Sequence, residues 1–501
     1  MVKIRAAGIL MPITALPSRW GIGCFSKEAY DFVDWLESAG QSLWQILPLG
    51  PTGFGDSPYQ SFSAFAGNPY MISLDEFISE GLLTDADCER YNFSDGEKID
   101  YAALWESRYK LLKQAFEKSC HSSDDAFKSF CAYNAYWLDD YSLFTALKNK
   151  FGGREWLLWD DELKVRNKEK TDEARQELCE EIEFQKFLQY KFFSQWSRLK
   201  AYANDKGIKI IGDIPIYASM DSADVWANPE LFQLDGYTPT AVAGCPPDAF
   251  SPKGQLWGNT LYRWEKHKET GYEWWIRRLD YCFRLYDMVR IDHFRGFDEY
   301  YSIPYGNKTA VGGEWKKGPG YSLFEAVKAS IGDKSFIAED LGFITPSVVS
   351  LLKKTGFPGM KVLEFAFDSR DSSGGGIYLP HNYPENCIAY TGTHDNQTLR
   401  SWFSEISDDE RKMVREYLAD SFTPPDKLNF PLIALIMRSS AKICIVPIQD
   451  YLELGEEARI NTPSTLGNNW RWRLREGQLT DELAERICGM TAIFARCGAK
   501  S

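Results

Sequence analysis

Three carboxylates follow three short apolar runs: Asp292 after Met288-Val-Arg-Ile291, Glu339 after Phe336-Ile-Ala338, and Asp395 beyond Ile388-Ala-Tyr-Thr-Gly-Thr-His394. Two carboxyl groups flanking a glycosidic bond can cleave it, and a third can steady the positive charge that builds on the sugar ring. Alternate residues of an extended strand share a face, so Arg290 is expected beside Asp292, where its charge favours the ionised carboxylate that a nucleophile requires. Glu339 suits the opposite task. An anion nearby and partial burial by bound sugar would raise its pKa and leave it able to donate a proton, while its neighbour Asp340 is expected to face away. Taken singly, a carboxylate at a strand end is more often a helix cap or an ion-pair member than a catalyst. Three such tips, two of them beside a histidine (His293 and His394), point to chemistry. With only 5 His in the chain and no His-x-x-x-His or Cys-rich partner, these two read better as hydroxyl-binding groups than as metal ligands.

Two further segments have the composition of sugar-binding loops. Residues 51–65 are dense in Gly, Ser and aromatic residues, so their rings can stack on pyranose faces while Ser57 and Gln60 bond hydroxyls; a packed loop with buried aromatics is the competing reading. Residues 244–259 are long and punctuated by Gly and Pro, as a lid or a surface connection would be. Gly21-Ile-Gly-Cys-Phe-Ser26 has the position of a dinucleotide fingerprint but not its content. Ser replaces the third Gly, and Leu47-Pro-Leu-Gly50 lacks the acidic residue that would bind ribose.

The elements that must carry these residues alternate along the chain. Strand-like runs are expected at 8–16, 42–47, 208–213, 288–292, 336–339, 362–367, 388–392 and 443–446, the first followed by a helix with Ala29, Phe32, Val33 and Leu36 inward and Ser26 as N-cap. Eight strands with carboxylates at their C-terminal ends predict an α/β fold, a (β/α)8 barrel, whose strand tips converge on one face. The uneven spacing marks an inserted, mainly helical subdomain at 68–206 within one barrel spanning 1–501, and the mixed charges of 160–183 read as a solvated helix face. A formal net charge of −14 disfavours nucleic acid and anionic lipid as partners. The longest apolar stretches are too short for a membrane span, and the start leads into a strand rather than a signal core, so a cytoplasmic protein is expected. The 11 cysteines form no Cys-x-x-Cys pair and read as reduced thiols.

The longer motifs carry a family resemblance. Leu16-Pro-Ser18, Gly53-Phe-Gly-Asp-Ser-Pro-Tyr-Gln-Ser-Phe-Ser63, Gly212-Asp-Ile-Pro-Ile-Tyr217, Pro246-Pro-Asp248, Arg290-Ile-Asp-His-Phe-Arg-Gly296, Ala338-Glu-Asp-Leu-Gly342, Thr393-His-Asp-Asn396 and Gly467-Asn-Asn-Trp-Arg-Trp472 together resemble the 4-α-glucanotransferases, the amylomaltase or disproportionating-enzyme family allied to α-amylases. The resemblance implies Asp292 as nucleophile, Glu339 as acid/base and Asp395 as transition-state stabiliser. It implies Ser57, Tyr59, Asp213, Asp248, Phe250, Gln255, Trp257, Arg290, His293, His394 and Asn461 as substrate contacts, with 244–259 as the loop over the acceptor groove. It further implies α-1,4-glucans as partners and no metal or cofactor. A hydrolase using the same carboxylates and a glycan-binding protein with decayed catalysis remain open alternatives at this stage.

Overall fold

In the computed structural model, which describes residues 5–91, 93, 96–247, 251–342, 344–368 and 376–497, eight parallel strands form one curved sheet. They are β1 (Ala6–Leu10), β2 (Leu43–Gln45), β3 (Lys209–Ile214), β4 (Met288–Ile291), β5 (Phe336–Ala338), β6 (Gly359–Val362), β7 (Cys387–Tyr390) and β8 (Ile443–Pro447). Their order is β5-β4-β3-β2-β1-β8-β7-β6. The Ala338 N–H donates to Pro358 O at 2.9 Å and so brings β5 against the start of β6. The result is a (β/α)8 barrel.

Side-chain alternation builds two apolar layers. Leu10, Leu43, Ile211, Ile337, Met360, Ile388, Tyr390 and Ile445 fill the barrel interior. Ile9, Trp44, Ile210, Val289, Ile291, Phe336, Ala389 and Cys444 face the surrounding helices. The first of those helices, Lys27–Ser38, buries Ala29, Phe32, Val33 and Leu36 as the sequence pattern predicts. Ser26 occupies its N-cap position, but its hydroxyl bonds to Glu28 instead of capping the helix.

Two strand boundaries differ from the sequence expectation. β1 stops at Leu10 because Pro12 opens a 3-10 turn, Ile13–Ala15, so the apolar residues as far as Leu16 belong to that turn. β6 occupies 359–362; the apolar run 362–367 instead folds as a 3-10 turn, Leu363–Phe365, with Leu363 buried over the strand end.

Between β2 and β3 lie the helices Tyr101–Lys118, Asp125–Lys150, Lys168–Glu177 and Cys179–Asp205 together with shorter ones. At 27 residues, Cys179–Asp205 spans about 40 Å. Its first half packs Phe184 and Phe187 against Phe116, whereas its second half lays Phe192 and Trp196 on Phe25, 5.1 and 5.5 Å away, beside the barrel. One helix thus joins the insert to the barrel wall. Trp196 is 1% exposed, and replacing it with Ala would cost about 3–5 kcal/mol.

On either side of the Gly- and Pro-rich stretch after β3, Ala241–Cys245 pairs antiparallel with Gln255–Thr260 as the strands of a hairpin. It joins Glu299–Pro304 and Glu314–Lys317 in a four-stranded antiparallel sheet over the C-terminal end of the barrel. Gly244 is there for packing. A Cβ at that position would stand 2.2 Å from Gln255 O.

Candidate active site

Register brings the first two carboxylates together. Ile291 of β4 lies opposite Ala338 of β5, so the next residues outward, Asp292 and Glu339, leave the barrel rim from neighbouring strands at the same level. Val289 and Ile291 pack outward against the helices, which turns Arg290 and Asp292 inward. Arg290 is 3% exposed and donates from Nη1 to both oxygens of buried Asp213, 2.7 Å each, and to Asp292 Oδ1 at 3.0 Å. Burial alone would disfavour the charged guanidinium, but Asp213 and Asp292 outweigh it and hold Arg290 well above its ordinary pKa. Asp213 itself is pushed upward by burial, against the pull of Arg290.

Glu339 is held by main chain. Its Oε2 accepts from the His293 N–H at 2.7 Å and its Oε1 from the Leu341 N–H at 2.8 Å. Burial first, and the Asp292 charge second, push its carboxyl up to about 7, against Arg290 and the two N–H donors. Asp340 faces away as expected and accepts from the Met360 N–H of β6 at 2.6 Å. His293 adopts the left-handed conformation, φ 51°, which is unusual for a bulky residue and presents its N–H to Glu339. Burial pushes the His293 imidazole down to about 4, so it is neutral near pH 7. Among the described residues its buried Nε2 has no hydrogen-bond partner, and its ring meets that of Trp257 edge to face with centroids 4.8 Å apart.

Asp395 reaches the site from a turn five residues beyond β7. Asn461 Nδ2 donates to its Oδ1 at 2.6 Å, and His394 Nε2 lies 3.4 Å from Oδ2. Tyr59 links this group to the first. Its hydroxyl donates to Asp213 Oδ2 at 2.9 Å and lies 3.4 Å from His394 Nδ1, and its ring stacks on His394 with centroids 5.0 Å apart. Asp213 thereby receives hydrogen bonds from Arg290 on one side and Tyr59 on the other. Solvent reaches the side chains of Asp292 and Asp395, 30% and 44% exposed, while the groups beneath them are buried.

Of the remaining expected contacts, Gln255 and Trp257 stand on the hairpin, where Trp257 Nε1 donates to Gln255 Oε1 at 3.0 Å. Ser57 Oγ accepts from the Tyr59 N–H at 3.3 Å and so shapes the loop that presents Tyr59, with no bond to the carboxylates. Asp248 and Phe250 lie outside the described residues. Two participants went unnoticed in the residue-level reading. Arg459 donates to Asp395 O at 3.1 Å and to Asn461 O at 2.9 Å, and Trp470 packs its ring 5.7 Å from Tyr59 and 5.9 Å from His394. Trp470 stood within a quoted motif. Arg459 had no signal beyond its place two residues before Asn461.

The site therefore brings together a carboxyl raised to about 7, an adjoining carboxylate bonded to a guanidinium, and a third, exposed carboxylate linked to them through His394 and Tyr59. Comparison with known proteins agrees with that chemistry. A family model described as 4-alpha-glucanotransferase, glycoside hydrolase family 77, matches residues 11–480. The 4-alpha-glucanotransferase of Clostridium butyricum is 50% identical over 491 residues, covering 97% of this chain and 100% of that one. The 4-alpha-glucanotransferase of Thermus thermophilus is 46% identical over 502 residues, 98% of this chain and 99% of the other. Among solved structures, the amylomaltase of Streptococcus agalactiae in complex with acarbose superposes with a TM-score of 0.94 at 42% identity, covering 98% of this chain and 100% of that one. A family model matching residues 11–480, together with a relative 50% identical over 97% of the chain, assigns the chain to the 4-alpha-glucanotransferase family, glycoside hydrolase family 77.

Proposed function

We propose that this protein transfers segments of α-1,4-glucan from a donor maltooligosaccharide or starch chain to the 4-hydroxyl of an acceptor glucan or glucose, with retention of anomeric configuration. The carrying observation is the pair on β4 and β5, Asp292 held by Arg290 and Glu339 raised to about 7. Glu339 protonates the bridging oxygen as Asp292 attacks the anomeric carbon; the C1–O bond breaks, the reducing-end fragment leaves with the proton, and a glycosyl ester remains on Asp292. Asp395, anchored by Asn461, stabilises the oxocarbenium-like charge. Glu339, now a carboxylate, removes the proton of an acceptor 4-hydroxyl as that oxygen displaces Asp292. Tyr59, Asp213, Arg290, His293 and His394 surround the donor sugar, and no metal or cofactor takes part.

Transfer has to outrun hydrolysis. Water at roughly 50 M competes with acceptor at about mM levels, so the cleft must favour sugar by more than about 10^4, some 5–6 kcal/mol of transition-state discrimination. The hairpin at 244–259, with Trp257 and Gln255 facing the loop that carries Ser57 and Tyr59, supports that role as the wall of the acceptor groove. Asp248 and Phe250 belong to the same proposed wall. We assign 1–501 to one catalytic barrel with 68–206 as its helical insert, and the cytoplasm as its place of action. No described helix is long and apolar enough to cross a membrane.

Incubation with maltotriose tests the reading. The expected products are glucose and longer maltooligosaccharides with a constant number of reducing ends. Net growth of reducing ends identifies a hydrolase, and unchanged sugar identifies a binding protein; either overturns it.

A further inference from the structure

Asp395 has a weaker seat than its two partners. β7 ends at Tyr390, and the next five residues, Thr391-Gly-Thr-His-Asp395, make a turn that no strand register fixes. Part of its support is internal. Asn396 Oδ1 accepts from the Thr393 N–H at 2.9 Å and from Thr393 Oγ1 at 2.8 Å, and Thr393 Oγ1 accepts in turn from the Asp395 N–H at 3.3 Å.

The remaining support comes from beneath. Glu364, in the turn after β6, is 8% exposed, and its N–H donates to Thr391 O at 3.2 Å. Its carboxyl lies under Gly392, where an added Cβ would stand 2.7 Å from Glu364 Oε1 and 3.1 Å from Asn396 Cβ. Only glycine leaves room there for the acid. The Asn396 side chain flanks the same point, and among the described residues Glu364 Oε1 is buried with no hydrogen-bond partner. Asp450, Arg459 and Glu456 also face it. Asp450 accepts from Thr391 Oγ1 at 2.6 Å and from the Leu399 N–H at 2.8 Å, and Arg459, paired with Glu456 at 3.2 Å, donates to Asp395 O. Burial, reinforced by Asp450, holds the Glu364 carboxyl well above the usual carboxylate range. A buried acid with one oxygen unpartnered is costly, and it sits where the turn is otherwise least supported.

The geometry points to Glu364 as a positioning residue for Asp395: packed under Gly392 and bonded through its N–H to Thr391 O, it fixes the turn that aims the third carboxylate into the cleft. Glu364 does not meet the sugar and acts through the turn 391–396. The inference rests on the role proposed above for Asp395, and the test separates the two.

Steady-state disproportionation of maltotriose is measured for the full-length protein and its variants E364A, E364Q, N396A, E364A/N396A and D395N. Circular dichroism and thermal midpoints are recorded alongside. E364A is expected to lower kcat about 10- to 100-fold with KM within about threefold of the parent, because misaiming Asp395 weakens the transition state more than the ground state. E364Q preserves the shape packed under Gly392, so kcat returns to within about threefold. N396A should resemble E364A, and the double variant should be no worse than the poorer single one, because both side chains support the one turn. Unchanged kcat in E364A, a loss in E364Q equal to that in E364A, or losses that multiply in the double variant each overturn the positioning role. If E364A does not fold, unchanged kcat in N396A does so. A fully active D395N instead overturns the role of Asp395 itself.

Discussion

In the proposed mechanism Glu339 holds a proton when the donor arrives and gives it up as the bond breaks, so its free-enzyme pKa would set the upper edge of activity. With the carboxyl near 7, kcat/KM for maltotriose is expected to fall above about pH 7, with an apparent value that belongs to the Asp292–Glu339 pair. A profile flat to pH 9 would remove Glu339 from the acid role. The same group makes stability depend on pH. Its folded pKa lies above the ordinary 4.5, so the folded state binds the proton more tightly, and the contribution present below 4.5 is lost as pH rises through about 7. E339Q has no such proton. Compared with E339Q, the parent should lose on the order of 1–3 kcal/mol between pH 4 and pH 8, read by urea unfolding at each pH. An equal gap at both values defeats the assignment of the shift. Asp292 and Glu339 were legible from sequence because each ends a strand, where alternation dictates which way a side chain points. Glu364 and Arg459 were not. One is a lone acid in an apolar run, the other an arginine in a polar loop, and only tertiary packing sets them behind Asp395.

At the scale of elements, the eight strands were recoverable because buried parallel strands read as short apolar runs, but their edges and the side sheet were not. The run 362–367 is as apolar as a strand, yet it caps β6 as a turn. The Gly residues of 244–259 look like loop punctuation, although Gly244 lets two strands approach closely. That hairpin is tied to the loop carrying Tyr59: Gln60 Nε2 donates to Asn259 Oδ1 at 2.9 Å, and Asn259 Nδ2 lies 3.5 Å from Gln60 Oε1. Asn259 is 6% exposed, so the amide pair is shielded from competing water. The pair fixes the spacing of the two walls proposed to hold an acceptor, and N259A should loosen it. The expected result is a rise of about tenfold in the ratio of hydrolysis to transfer, which is about 1.4 kcal/mol of the discrimination, with total bond cleavage within about threefold of the parent. Counting new reducing ends against glucose released from maltotriose gives that ratio. If it stays constant, hairpin placement is not what excludes water.

The whole molecule divides its tasks between the two ends of the barrel, with chemistry at the C-terminal ends of the strands and closure at the other. At the closing end, β1 and β8 must stay paired although hundreds of residues separate them, and a buried arginine just beyond the C-terminal helix bridges them beside Arg5, which donates to Met437 O and Ser439 O. Arg496 is fully buried and donates from Nε to Met437 O at 2.8 Å, from Nη1 to Ala6 O and Lys442 O at 3.3 and 3.2 Å, and from Nη2 to Ser439 O and Ala441 O at 3.2 and 2.8 Å. Ala6 opens β1, and the other four carbonyls lie on the approach to β8. The helix Asp481–Ile493 delivers Arg496 to this place. That helix is fastened near its own ends, since Trp35 Nε1 donates to Thr480 O at 3.1 Å and Gln41 Nε2 to Thr491 Oγ1 at 3.0 Å. R496A would leave a cavity and strip five carbonyls of one donor each, a loss of about 3–5 kcal/mol in urea unfolding. R496K keeps the charge, but a compact ammonium cannot span the positions that the planar guanidinium reaches, so a loss of about 1–3 kcal/mol is expected. Because the proposed catalytic groups stand on the opposite rim, kcat per folded molecule should hold within about twofold in both variants. A variant R496A that unfolds at the parent's urea midpoint would show that the sheet pairing of β1 with β8 closes the barrel unaided, and a fall in kcat at full folding would show that the two ends are coupled.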